Sequence, residues 1–175
     1  MQYSIVLLGY MGSGKSALGK QLSIELSRPF IDLDDYIEKK ENQTIAAIFK
    51  LKGELYFRKL ERQCLEELLN KKNNAVIGLG GGTPCYFDNM DLILNSKNVL
   101  SIYLKTSIQE LTKRLFDQKE RRPMIAHVNS HETLMEFIGK HLFERARFYE
   151  KAALKIQTDK KSIVDLVPEI IKVLA

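Results

Sequence analysis

The stretch LLGYMGSGKSALG, residues 7–19, narrows the possible folds more than any other part of the chain. Within it Gly9, Gly14, Lys15 and Ser16 fit the phosphate-loop pattern G-x-x-x-x-G-K-[ST]. Glycines let the backbone curl until successive N–H groups face an anion, and a helix starting there adds a partial positive charge. The pattern carries meaning only between a strand and a helix. Here the apolar run YSIVLL (3–8) precedes it, and the stripe Leu18, Leu22, Leu26 follows, ending before Pro29. A nucleotide site is expected, with Lys15 reaching the outer phosphates and the Ser16 hydroxyl on Mg²⁺.

The rest of the chain alternates in the same way. FIDL (30–33), AVIGL (75–79), VLSIYL (99–104) and LKIQT (154–158) read as further strands. YSIVLL and VLSIYL are apolar nearly throughout, as in a parallel sheet covered on both faces. Between the strands lie helical patterns: Phe57, Leu60, Cys64 and Leu68 form one stripe, and Ser107 with Glu110 a capping box ahead of Ile108, Leu111 and Leu115. Ser162 with Asp165 is expected to cap a final helix that Pro168 distorts. Strands alternating with helices predict βαβ units and a parallel sheet. The 175 residues suffice for a single domain, 1–175. The polar segment DQKERRPMIAHVNSH (117–131) breaks the periodicity and is expected to be a mobile lid.

Composition excludes several classes. The net charge is +5, but the basic residues are scattered with no run interleaved with aromatics, so nucleic-acid binding is not expected. Anionic small substrates account for the sign equally well. No apolar run approaches the roughly 18 residues of a membrane span, and MQYSIVLL reads as a buried strand rather than a signal peptide. Cys64 and Cys85 form no C-x-x-C pair and suggest reduced thiols in a cytoplasmic protein. His127, His131 and His141 lack metal-motif spacing and are expected at the surface.

Further constellations suggest a second substrate. DLDD (32–35) ends the second strand, and alternation lets Asp32 and Asp34 point to one side. Strand carboxyl ends are where ligands sit in open α/β sheets. One carboxylate can hold Mg²⁺ through water while the other accepts a proton from an attacking hydroxyl; the competing reading makes Asp34 or Asp35 a helix cap. In GELYFRKLE (53–61), Glu61 lies one turn from Arg58 and can orient it, although such pairs are commonly exposed and weak. GLGGGTP (78–84) follows the third strand and admits close approach of a ligand to backbone. RRPMI (121–125) offers Arg122 to a phosphate on lid closure, with Arg121 better suited to solvent. Leu134, Ile138, Leu142, Arg145 and Tyr149 place Arg145 on the inward stripe of a helix, where it needs an anionic substrate or a structural carboxylate.

These motifs, in this order, resemble those of shikimate kinases, in the nucleoside-monophosphate-kinase branch of phosphate-loop proteins. GYMGSGKS is similar to the family's phosphate loop, DLDD to its D-x-D, GELYFRKLE to its G-E-x-x-F-R-x-x-E, GGG to its glycine triplet, RRP to its lid arginine-proline and RARFYEKAA to its late R-x-x-x-Y segment. The resemblance implies a three-layer α/β/α fold with a five-stranded parallel sheet in the order 2-3-1-4-5. It implies a substrate-binding segment near 34–62, a lid near 117–131, and a monomer whose partners are ATP and shikimate. The activity implied is transfer of the ATP γ-phosphoryl group to the 3-hydroxyl of shikimate, a step of chorismate and aromatic amino-acid biosynthesis. Gly12, Ser13, Gly14, Lys15, Ser16 and Ala17 would hold phosphates; Ser16 and, through water, Asp32 would hold Mg²⁺. Asp34 would take the hydroxyl proton, and Arg58 and Arg145 would clamp the carboxylate beside Gly80, Gly81 and Gly82. Arg122 would meet the transferring phosphoryl, and Arg114 would stack on adenine. The chain departs from the pattern in RPMI, where R-P-L-L is usual, in a somewhat long AHVNSHETLMEF, and in Thr83 and Pro84, where an aliphatic pair is common. A gluconate or nucleoside-monophosphate kinase is the alternative enzyme. A non-catalytic sensor is the alternative class, although Lys15, Asp34 and Arg122 are all present.

Overall fold

Each of the five apolar runs forms a strand. In the computed structural model, which describes residues 3–71, 73–118 and 124–174, these are β1 (Ser4–Leu8), β2 (Phe30–Asp32), β3 (Val76–Gly78), β4 (Val99–Lys105) and β5 (Leu154–Gln157). All pair in parallel, in the order β2-β3-β1-β4-β5. β1 is central and buried along its whole length. Alternation along it divides the core: Ile5 and Leu7 face one side, Val6 and Leu8 the other.

The first side is covered by α1 (Lys15–Glu25) through Leu18 and Leu22, and by α7 (Ile163–Leu174) through Leu166, Val167 and Ile170. The opposite side carries the larger core. It holds α2 (Leu33–Glu41), α3 (Ile45–Asn70), α4 (Asn89–Asn95), α5 (Ile108–Phe116) and α6 (His131–Tyr149). The stripe Phe57, Leu60, Cys64, Leu68 is buried on α3 as its spacing predicts. Ser107 caps α5 by accepting the Glu110 N–H at 3.2 Å. At the start of α7 the Asp165 carboxylate accepts the Ser162 N–H at 2.9 Å. Pro168 lies inside α7 on its exposed side, and the helix continues to Leu174.

Beyond shifts of a residue at strand ends, several local features depart from or add to the sequence reading. Leu33, expected to end the second strand, begins α2. The residue capping that helix is Asp32, whose Oδ1 accepts the Asp34 N–H at 3.0 Å, rather than Asp34 or Asp35. Asp34 therefore belongs to a first helical turn, and strand alternation is not what brings it beside Asp32. α3 is interrupted at Gly53, whose φ of 79° is left-handed. In segment 117–131, Ile125 and Val128 are buried in the larger core, so the stretch after residue 123 is anchored.

Candidate active site

At the carboxyl end of β1 the chain turns through residues 9–14 and enters α1 at Gly14, whose φ of 96° needs a residue without Cβ. The Ser13 N–H closes the turn on the Tyr10 carbonyl at 3.2 Å. Lys15 Nζ donates to the carbonyls of Gly9 and Tyr10 at 2.8 and 2.9 Å, so this side chain spans the inside of the loop it follows. Ser16 Oγ donates to Asp32 Oδ2 at 3.1 Å. The hydroxyl comes from α1 and the carboxylate from the end of β2, two elements linked through β3 and the sheet register Asp32–Gly78. Two hard oxygen donors at this separation fit Mg²⁺ beside a phosphate, a metal that keeps several waters and takes few protein ligands.

A cleft of about 480 Å³ opens over this end of the sheet. It brings together Gly12, Gly14, Lys15, Ser16 and Ala17 with Asp32, Asp34, Gly80, Gly81 and Arg114. Arg114 pairs with Glu110 at 2.8 Å and donates to the carbonyls of Gly12 and Thr158 at 3.4 and 3.2 Å, which fixes it against the loop.

Asp34 is the perturbed carboxyl of the cleft. Burial pushes its pKa up to about 6; the negative charges of Asp32 and Glu61 add to this, while Lys15 and Arg58 oppose it. That range suits a group which must shed and accept a proton near neutrality. Glu61 is 1% exposed and fully engaged: Arg58 Nη1 donates to Oε2 at 2.9 Å, and the Thr83 hydroxyl donates to Oε1 at 2.6 Å. Asn89 in turn donates to the Thr83 carbonyl at 2.8 Å. The Arg58–Glu61 pair is thus buried rather than exposed. Thr83, at a position where an aliphatic residue is common, supplies the hydrogen bond that a buried carboxylate needs.

Arg145 projects from α6 toward the glycine turn, with its Cζ 5.6 Å from the Tyr10 ring centroid. Among the described residues no carboxylate lies within ion-pair distance of it. One turn beyond, Tyr149 donates its hydroxyl to the Gly81 carbonyl. His141 departs from expectation. It is half-buried, shares a 3.2 Å hydrogen bond between Nδ1 and the Tyr10 hydroxyl, and has its pKa lowered by burial and by the Arg145 cation. His127 and His131 are exposed, as expected. Arg122, with Arg121 and Pro123, lies outside the described residues. The sequence reading missed Thr83 as the partner of Glu61 and Tyr86 as the partner of Arg58. Only the proximity of both to the glycine triplet could have pointed to them.

A phosphate-binding loop and an acidic pair on a 2-3-1-4-5 parallel sheet, sharing one cleft beside the arginines Arg58 and Arg145 that approach the glycine turn, define the class of small-molecule phosphate-loop kinases. Within that class the chain belongs to the shikimate kinase family, which it matches over residues 11–175. It is 48% identical to the shikimate kinase of Flavobacterium johnsoniae over 171 residues, covering 98% of both chains. Its fold is similar to the crystal structure of shikimate kinase from Bacteroides thetaiotaomicron, with a TM-score of 0.88 and 36% identity across 98% of each chain. It is also similar to the Acinetobacter baumannii shikimate kinase in complex with shikimate, with a TM-score of 0.84 and 30% identity, across 99% of this chain and 93% of that one.

Proposed function

We propose that this protein transfers the γ-phosphoryl group of ATP to the 3-hydroxyl of shikimate, giving shikimate 3-phosphate and ADP in the cytoplasmic route to chorismate and the aromatic amino acids. The observation that carries this is Asp34, a half-buried carboxyl of raised pKa that interacts with the loop lysine and with the Arg58–Glu61 pair. The loop amides and Lys15 hold the β- and γ-phosphates, with the Lys15 ammonium exchanging its loop carbonyls for phosphate oxygens. Ser16 and, through water, Asp32 would hold Mg²⁺, which when bound would neutralise charge on the phosphates. Arg58 and Arg145 receive the shikimate carboxylate against Gly80, Gly81 and Gly82. The 3-hydroxyl oxygen then bonds to the γ-phosphorus as the bond to the β–γ bridging oxygen breaks. The hydroxyl proton passes to Asp34, and ADP leaves with the electron pair. From the sequence resemblance alone, Arg122 is assigned to the transferring phosphoryl and Arg114 to the adenine.

ADP release measured across shikimate, quinate, gluconate and nucleoside monophosphates tests the assignment. Turnover on shikimate should exceed that on the others by orders of magnitude; preference for gluconate or a monophosphate would overturn it. Lys15→Met should remove most turnover, and near-normal activity in that variant would sink the phosphate-site assignment.

A further inference from the structure

Arg58 has a neighbour that the reaction as described does not use. Its guanidinium carbon lies 3.8 Å from the centroid of the Tyr86 ring and 5.1 Å from that of Phe57. A Cβ on Gly82 would come within 3.1 Å of Nη2, so the glycine turn closes around another edge of the group. The donors are unequally committed. Nη1 is bound to Glu61, but Nε is buried and has no hydrogen-bond partner among the described residues. Glu54 Oε1 stands 3.5 Å from that Nε, within ion-pair range but without hydrogen-bond geometry. The same Oε1 accepts the Tyr86 hydroxyl at 2.8 Å. Glu54 is one helical turn before Arg58 and forms a loose i,i+4 ion pair with it, a pair that should tighten if the Tyr86 hydroxyl did not share the same oxygen. Nη2, not Nε, faces the glycine turn, and a ligand carboxylate there would pair with a guanidinium that Glu54 only loosely holds.

We propose that Tyr86 is a positioning residue for the substrate: its ring holds the Arg58 guanidinium with Nη2 against the glycine turn, and its hydroxyl engages Glu54 Oε1 and limits that carboxylate's hold on the guanidinium, leaving the Arg58 charge available to the substrate carboxylate on the glycine-turn side. The proposal rests on the reading above that Arg58 receives this carboxylate. It adds that affinity depends on a competition between an internal carboxylate and the ligand's, with Tyr86 setting the balance.

The test uses Tyr86→Phe and Tyr86→Leu, each with and without Glu54→Gln, in the full-length enzyme. Tyr86→Phe keeps the stack and frees Glu54. It should raise the shikimate KM roughly 3- to 10-fold, with kcat and the ATP KM nearly unchanged, and Glu54→Gln in that background should reverse most of the loss. Tyr86→Leu also removes the stack and should raise KM about 5- to 30-fold, only partly reversed by Glu54→Gln. A neutral amide analogue of shikimate, used as a competitive inhibitor, should bind the wild type and both variants alike. Equal losses for shikimate and the amide, or a parallel rise in the ATP KM, would show that Tyr86 merely supports the fold and overturn the proposal. If Tyr86→Leu fails to fold, the Tyr86→Phe pair decides alone. Arg58→Lys separates the two readings. If it leaves the shikimate KM unchanged, the carboxylate assignment of Arg58 fails; if it raises KM while both Tyr86 variants do not, only the role of Tyr86 fails.

Discussion

Asp34 is ionised at a cost. Its pKa is raised from 3.8 to about 6, so the fold favours the protonated acid. Its contribution to stability is complete below the unfolded value, is lost as pH rises through the folded one, and is a penalty of up to about 3 kcal/mol at pH 8. Asp34→Asn removes the penalty. In EDTA and without nucleotide, the variant should melt above wild type at pH 8 by several degrees, with the gap closing between pH 6 and pH 4; a gap independent of pH would refute this. The same variant should lose roughly 10²- to 10⁴-fold in kcat, the usual weight of a general base. Lys15 is a different case. Because its ammonium bridges the Gly9 and Tyr10 carbonyls, Lys15→Met should loosen the loop as well as remove a phosphate ligand. Amide hydrogen exchange at Met11 to Gly14 should quicken in that variant, whereas a simple loss of charge would leave it alone.

At the scale of elements, α3 and α6 each deliver one arginine to the glycine turn, and each is aimed by a local device. For α3 the device is the break at Gly53, where the left-handed φ of 79° re-aims the following turns; a Cβ there would meet open space. Gly53→Ala should therefore cost only backbone strain, about 1–3 kcal/mol for a conformation that is essentially glycine-only, read as a lower urea midpoint together with a raised shikimate KM. For α6 the device is the Tyr149 hydroxyl on Gly81. Arg145→Lys should weaken shikimate by about 30-fold or more, as truncation of a desolvated charge pair does, and weaken the neutral amide analogue far less. The five strands and the longer helices were legible in the sequence, because each apolar run and each 3.6-residue stripe has its own period, whereas α4, only two turns long, offered no stripe to read. Arg145 was legible too, since an arginine on an inward stripe demands a partner. What could not be read was the contact between distant segments. The hydroxyls of Thr83 and Tyr86 meet Glu61 and Glu54 only when the turn after β3 lies against α3, and His141 meets Tyr10 across 131 residues of chain. The D-x-D pair shows the converse. Both carboxylates were identified, yet the strand alternation invoked for them gives way at Leu33 to a helix that Asp32 itself caps.

In the whole molecule, the cleft draws on the loops after β1 and β3, the β2–α2 junction and α5, so a ligand there ties together elements that pack on opposite faces of the sheet. ADP with Mg²⁺ at about 100 times its dissociation constant adds roughly 2.7 kcal/mol to stability, which in a chain of 175 residues is roughly 5–11 °C in Tm. Chelating the metal should cut that shift sharply if Ser16 and Asp32 hold it, and differential scanning fluorimetry reads both numbers. The glycines around the cleft have a consequence of another kind. A side chain at Gly9 would come 2.9 Å from the Leu104 carbonyl, one at Gly80 would crowd Thr83 and Asp34 at 3.0 and 3.3 Å, and one at Gly82 would displace Arg58. At Gly9 the obstacle is main chain, which cannot give way, whereas at Gly80 and Gly82 a side chain of the site itself would have to shift. An inhibitor resting on the glycine wall would meet few tolerated escape mutations there, and resistance selected against it should arise around the cleft's rim instead.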